Sequence, residues 1–205
     1  MNPRTQRRQI DGPAGPLELA IDEPDGELRG VALLLHPLPT HGGTLDNKVV
    51  QTLARASVAL GLRAVRFNFR GVGASAGSFD NGVGELDDAL AAAGAARVAG
   101  LPFFVGGFSF GAFVATRLAE RLAQQGQPVD KLALLGLAAS RFPAERVPAG
   151  SLVLHGEADE VVPLTAVFDW ARPQALPVTV LPGAGHYFHG QLPLLKELVM
   201  RAWSF

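Results

Sequence analysis

The chain has 205 residues, 48% of them hydrophobic, enough for one domain with a substantial core. A formal net charge of −1 gives no electrostatic basis for binding nucleic acid or an anionic membrane. The absence of cysteine excludes disulfides, a thiolate nucleophile and any cysteine-ligated metal.

The opening MNPRTQRRQI lacks the apolar core of a signal peptide, and no apolar run approaches the ~20 residues of a membrane span. A soluble, cytoplasmic protein is therefore expected. Residues 1–16, polar and interrupted by Gly12, Pro13, Gly15 and Pro16, read as a loose N-terminal arm. Leu17 to Asp22 alternates apolar and polar, as a half-buried edge strand does. After a Pro24-Asp25-Gly26 turn, Gly30 to His36 is a continuous apolar run of the kind buried on both faces of a parallel sheet. Asp46-Asn47 caps a helix to about Leu60, with Val49, Val50, Leu53 and Ala54 on its buried stripe, and Gly61 ends it.

Leu62 to Phe69 is the next strand. The glycine-rich loop Arg70 to Gly77 that follows lacks both the Lys-Ser/Thr ending of a P-loop and the G-x-G-x-x-G spacing, so no nucleotide site is expected there. Helices are expected over 84–98, 164–171 and 192–203, and strands over 101–105, 131–137, 151–155 and 177–181. Strands alternating with helices imply a mainly parallel sheet covered on both faces. No internal repeat or linker divides the chain, so residues 1–205 are expected to form a single domain.

The stretch that organises this pattern is Leu101 to Ala115. An apolar strand meets Gly107-Phe108-Ser109-Phe110-Gly111, and an alanine-rich helix follows at once. Such a turn lifts a serine side chain clear of the sheet, where a neighbouring base can activate it. Sites in open α/β sheets gather beyond the carboxyl ends of the strands. Those positions hold Glu157, Asp159 and Glu160 after one strand and His186 after the next. The three acids are equivalent by spacing alone. His186 is placed to take a proton from Ser109 and return it to a leaving group, with a carboxylate fixing its tautomer. Acyl transfer also needs two backbone N–H donors for the developing oxyanion. Phe110, at the start of the helix, supplies one. In Pro37-Leu38-Pro39 only Leu38 has an N–H, and it supplies the other.

Of the five histidines, His36 and His155 end apolar strands and suit buried hydrogen bonding. His41, His186 and His189 lack a carboxylate at a ligand spacing such as H-E-x-x-H, so neither metal nor cofactor is expected.

These segments resemble the serine α/β-hydrolase superfamily, and more narrowly its small, lidless bacterial members. The resemblance runs through His36-Pro37-Leu38-Pro39, Gly42-Gly43-Thr44, Asn47 to Val50, Arg66 to Gly77, Gly107 to Gly111, His155 to Pro163 and His186, from roughly residue 16 to 204. It implies the α/β-hydrolase fold and a Ser109–Asp159–His186 triad, and it is what selects Asp159 over the two glutamates. Dienelactone hydrolases are similar in size but use a cysteine, which this chain lacks. The common His-Gly after the third strand is here His36-Pro37, and Arg70 is expected to brace its loop.

Cap domains in this fold enter where this chain has only Gly136 to Gly150, too short for a lid. An open site for small or short-chain esters is expected, with Phe108, Tyr187 and Phe188 lining a substrate pocket. The same machinery serves thioesters and peptides, and a catalytically silent binding scaffold is the alternative of a different class. The fold does not choose among these chemistries, and the oligomeric state is not encoded in any pattern read here.

Overall fold

The computed structural model describes residues 5–204. Its first element corrects an expectation: Gln6–Gly12 is a strand, β1, rather than part of a loose arm. The part of that expectation concerning residues 1–4 lies outside the described residues. β1 pairs antiparallel with Gly15–Asp22 (β2), from Gln6 opposite Ile21 to Gly12 opposite Gly15. Gln6 to Gln9 are exposed on both faces, so no apolar alternation marks the strand in the sequence. Its hydrogen-bonded backbone and the Pro13-Ala14 turn define it instead. The charged side chains suit an edge: Arg7 pairs with Glu18 at 2.9 Å and Asp46 at 2.6 Å. β2, expected at the edge, is therefore interior.

Gly30–Leu35 (β3) is buried at every position, which explains its unbroken apolar sequence. Val31, Leu33 and Leu35 point to one core, and Ala32 and Leu34 to the other. The helix Lys48–Ala59 (α1) starts where Asn47 Oδ1 accepts from the Val49 and Val50 N–H groups. Leu62–Phe67 (β4) precedes the glycine-rich loop and Val83–Ala96 (α2). Next come Phe103–Phe108 (β5) and Phe110–Gln124 (α3), then Lys131–Leu135 (β6) and Leu152–Gly156 (β7). Leu164–Ala171 (α4), Thr179–Leu181 (β8) and Leu192–Trp203 (α5) complete the order. β8 starts later than expected because Pro177 has no N–H to give the ladder.

The eight strands form one sheet in the order β1-β2-β4-β3-β5-β6-β7-β8. Only the β1–β2 and β2–β4 pairings are antiparallel. α1 and α5 cover one face through Val50, Leu53, Leu195, Val199 and Trp203. α2, α3 and α4 cover the other through residues such as Leu86, Phe113, Leu118 and Val167. No helix among the described residues is long and apolar enough to cross a membrane. Between β6 and β7 there is no lid, only a turn in which Arg141 N and Phe142 N donate to Ala138 O at 3.1 Å.

Candidate active site

The strand β5 runs further than its apolar stretch suggested. Gly106 and Gly107 stay in the ladder, opposite Leu34 and Leu35 of β3, so the turn into α3 is a single residue, Ser109. Its backbone is forced to φ 56°, ψ −116°, a conformation that L-residues avoid at a cost on the order of 1–3 kcal/mol. Three hydrogen bonds hold it there. Ser109 N donates to Leu135 O at 2.9 Å, and Ser109 O accepts from Ala112 N at 3.0 Å and Phe113 N at 3.2 Å. The glycines on either side let the backbones meet. A Cβ at 107 would overlap the Gly111 carbonyl, and one at 111 the carbonyls of Leu35 and His36.

The loops after β7 and β8 are fastened together. Glu157 N donates to Leu181 O (3.0 Å), Ala158 N to Ala184 O (2.9 Å), and Gly183 N to Glu157 Oε2 (2.9 Å). Glu157 thus holds the loop that carries His186. The acid that reaches the imidazole is Asp159: its Oδ2 lies 2.7 Å from His186 Nδ1. On the other side of the ring, His186 Nε2 is 2.9 Å from Ser109 Oγ. Since a carboxylate only accepts, Nδ1 carries the proton, and Nε2 accepts from the serine hydroxyl. Asp159 Oδ1 in turn accepts from Val161 N (2.9 Å) and Val162 N (2.7 Å). Burial pushes the Asp159 carboxyl up, but hydrogen bonds from His186, Val162 and Val161 and the His186 charge outweigh it and hold the group below its ordinary range. The ring of Phe108 lies 5.1 Å from that of His186.

His155 is packed behind this chain. Its Nε2–H donates to Val162 O at 2.9 Å and stands 3.4 Å from Asp159 Oδ2, while Nδ1 has no hydrogen-bond partner among the described residues. Burial lowers its pKa, which keeps the ring neutral.

His36 closes β3 and anchors the loop carrying Leu38. Its Nδ1–H donates to Pro37 O at 2.6 Å, and its Nε2 accepts from Phe69 N at 3.0 Å. Complete burial pushes its pKa down from 6.5 to about 4. An unfolded chain binds that proton near pH 6.5, whereas the folded one does so only near 4, so stability is full above the first value and falls towards the second. The loss is expected to reach roughly 3 kcal/mol by pH 4. Unfolding free energies from urea titrations should fall, from pH 7 to 4, by that much more in the wild type than in His36→Gln. The His36 ring resonance should stay at its neutral position through pH 6; titration near 6.5 contradicts this account.

Leu38 O accepts from His41 N (3.1 Å) and Gly43 N (3.0 Å), which sets the loop. Leu38 and Phe110 line the same cavity as Ser109 and His186, and among the described residues neither backbone N–H has a hydrogen-bond acceptor. Phe110 is the first residue of α3, where the helix dipole favours negative charge.

Two expected pocket residues are not in the cavity. Phe108 and Phe188 are both 0% exposed and pack in the core under α1 and α5, with Leu135 and Leu154. Strand alternation explains the first, because the last residue of β5 points away from the face that α3 covers. Tyr187 does line the cavity and is 43% exposed; the exposed His189 ring lies 5.8 Å from it. Arg70 is also outside, holding Asp88 of α2 through Nε (3.0 Å) and Nη2 (2.8 Å). Lining residues that the sequence did not announce include His41, Asn47, Ala138, Arg141, Phe142 and Val161. Asn47 and Val161 lie in segments that carry the resemblance, but nothing in their spacing assigned them to the cavity; His41, Ala138, Arg141 and Phe142 come from connections without a motif. The cavity is small, about 80 Å³. A larger one of about 900 Å³, between the 24–29 loop and α1, contains neither Ser109 nor His186.

Comparison with known proteins places the chain in a family. The thioesterase-domain family matches residues 50–157, more than half of the chain. A lidless α/β serine hydrolase from Xanthomonas campestris is 38% identical, superposes with a TM-score of 0.88, and is matched over 98% of this chain and 94% of its own. An α/β serine hydrolase homologue from Coxiella burnetii is also 38% identical, with a TM-score of 0.82 and 97% of each chain covered. An uncharacterized protein of Rickettsia prowazekii (strain Madrid E) is 40% identical over 115 residues, 55% of this chain. That match spans about half, 48%, of the curated relative's length. With a serine at the turn after β5, no lid between β6 and β7, and full-length likeness to such enzymes, the chain belongs to the lidless α/β serine hydrolases.

Proposed function

We propose that the protein is a carboxylesterase of small or short-chain esters, working through Ser109, His186 and Asp159 within one domain. The observation that carries the reading is the unbroken chain of hydrogen bonds, 2.9 Å from Ser109 Oγ to His186 Nε2 and 2.7 Å from His186 Nδ1 to Asp159 Oδ2. As Ser109 Oγ bonds to the substrate carbonyl carbon, its proton passes to His186 Nε2. Asp159, held as a carboxylate, stabilises the imidazolium. The carbonyl oxygen, now negative, takes hydrogen bonds from Leu38 N–H and Phe110 N–H. Collapse breaks the bond to the leaving group, which takes the proton from His186 and departs, leaving an acyl-serine. Water repeats the sequence: its proton goes to His186, its oxygen to the acyl carbon, and the serine is restored.

The match of residues 50–157 to the thioesterase-domain family favours a second reading, in which the leaving group is a thiol. Matched acetyl and butyryl oxygen esters and thioesters separate the two by their kcat/KM ratio. The shared chemistry is tested by a fluorophosphonate probe, which is expected to label the wild type at Ser109, located by peptide mass, and not to label Ser109→Ala. A folded wild type that stays unlabelled is a binding scaffold, and the enzymatic reading fails.

A further inference from the structure

The cavity beside Ser109 is one-sided in charge. No aspartate or glutamate lines it, whereas Arg141 and His41 do. Arg141 sits on the turn between β6 and β7, its backbone N–H bonded to Ala138 O at 3.1 Å. Its guanidinium pairs with no group among the described residues, in contrast to Arg66, committed to Asp22 at 2.8 Å, and Arg70, committed to Asp88 at 2.8 Å. Asn47 also lines it, with its Oδ1 engaged by the cap of α1 and its amide Nδ2 bonded to no group among the described residues.

Most of the nearby acids are engaged elsewhere. Asp159 lies behind His186 and accepts from Val161 and Val162. Glu157 holds Gly183 N and Asp46 pairs with Arg7 and Arg66, while Glu160, on the exposed side of the loop near Gly185, does not line the cavity. The lining also includes the apolar side chains of Leu38, Phe110, Phe142 and Val161. A neutral acyl chain would use those and leave the guanidinium idle. A planar fork of donors at a small cavity matches a carboxylate, which it can grip through two parallel hydrogen bonds.

We infer that this site selects substrates carrying an ionised carboxylate beside the bond that is cut, and that Arg141 is the residue that reads it. This specificity rests on the hydrolase reading above. The field of a cleft lined by one sign of charge would also concentrate such substrates at low salt.

Two pairs of probes test it and tell where the carboxylate sits. Mono-p-nitrophenyl glutarate against p-nitrophenyl pentanoate places the charge on the acyl side. 4-Acetoxybenzoate against its methyl ester places it on the leaving group. In Arg141→Met, the ratio of kcat/KM for the anionic over the neutral ester is expected to fall about 10- to 100-fold for at least one pair, mainly through KM, as loss of a charge-assisted contact implies. Arg141→Lys should restore part of it, and added salt should shrink the wild-type ratio. Ratios that stay within about twofold of wild type for both pairs overturn the inference. Fluorophosphonate labelling of Ser109 in each protein separates the two levels. If the wild type labels and cuts neutral esters while the ratios do not move, only the role of Arg141 falls. If it neither labels nor cuts them, the hydrolase reading has failed and this inference falls with it.

Discussion

Ser109→Ala should lower kcat for p-nitrophenyl butyrate on the order of a million-fold, and His186→Ala by a comparable factor. The double variant should be no worse than either single one. Without the serine there is no oxygen to form the acyl intermediate. Without the imidazole, 2.9 Å away, that oxygen keeps its proton. Each loss removes the same step, so the effects do not add. Residual turnover would come from N–H donors such as those of Leu38 and Phe110 acting on a water reaction. Initial rates at saturating ester measure the effect, with circular dichroism melting as the control for folding. A Ser109→Ala protein that keeps more than about one hundredth of wild-type kcat contradicts the proposed mechanism.

The second large effect is structural. Gly111→Ala puts a methyl group onto the carbonyl oxygens of Leu35 and His36, both backbone atoms that cannot swing aside. β3 and α3 would have to separate, with a loss expected at about 3 kcal/mol or more. That is a large share of the roughly 5–15 kcal/mol by which domains are stable. Gly94→Ala is the control. Gly94 is exposed on α2 and a Cβ there meets nothing within 4 Å, so the alanine should gain about 0.5–1 kcal/mol. Urea midpoints of the two variants should therefore move in opposite directions. A Gly111→Ala midpoint equal to wild type would mean that the strand and helix are not in close contact at the turn.

How much of this was readable in advance depended on whether the signal was local. The turn at Ser109 was readable because a glycine pair, a serine and the start of a helix are adjacent in sequence. His186 was readable as the histidine just beyond a strand end. Among Glu157, Asp159 and Glu160 the spacing was silent, and the resemblance made the choice. In the structure Glu157 bonds the Gly183 amide and Asp159 bonds the imidazole, a difference made by contacts between two loops. Phe108 and Phe188 were misread for a related reason: adjacency to Ser109 and His186 along the chain says nothing about which face a side chain takes. β1 was missed because its pairing uses backbone atoms and its side chains meet water on both faces. Arg141 lies in a connection with no periodicity, and only folding brings it to the cavity.

The short connection from Leu135 to Leu152 sets a limit on the kinetics. Where a helical cap must lift before each turnover, the pace is governed by that hinge, and contact with an oil droplet or micelle can switch the catalyst on. Among the described residues no such cap stands over Ser109. Under the mechanism proposed above, turnover is therefore expected to follow dissolved ester alone, with no step in which a cap lifts.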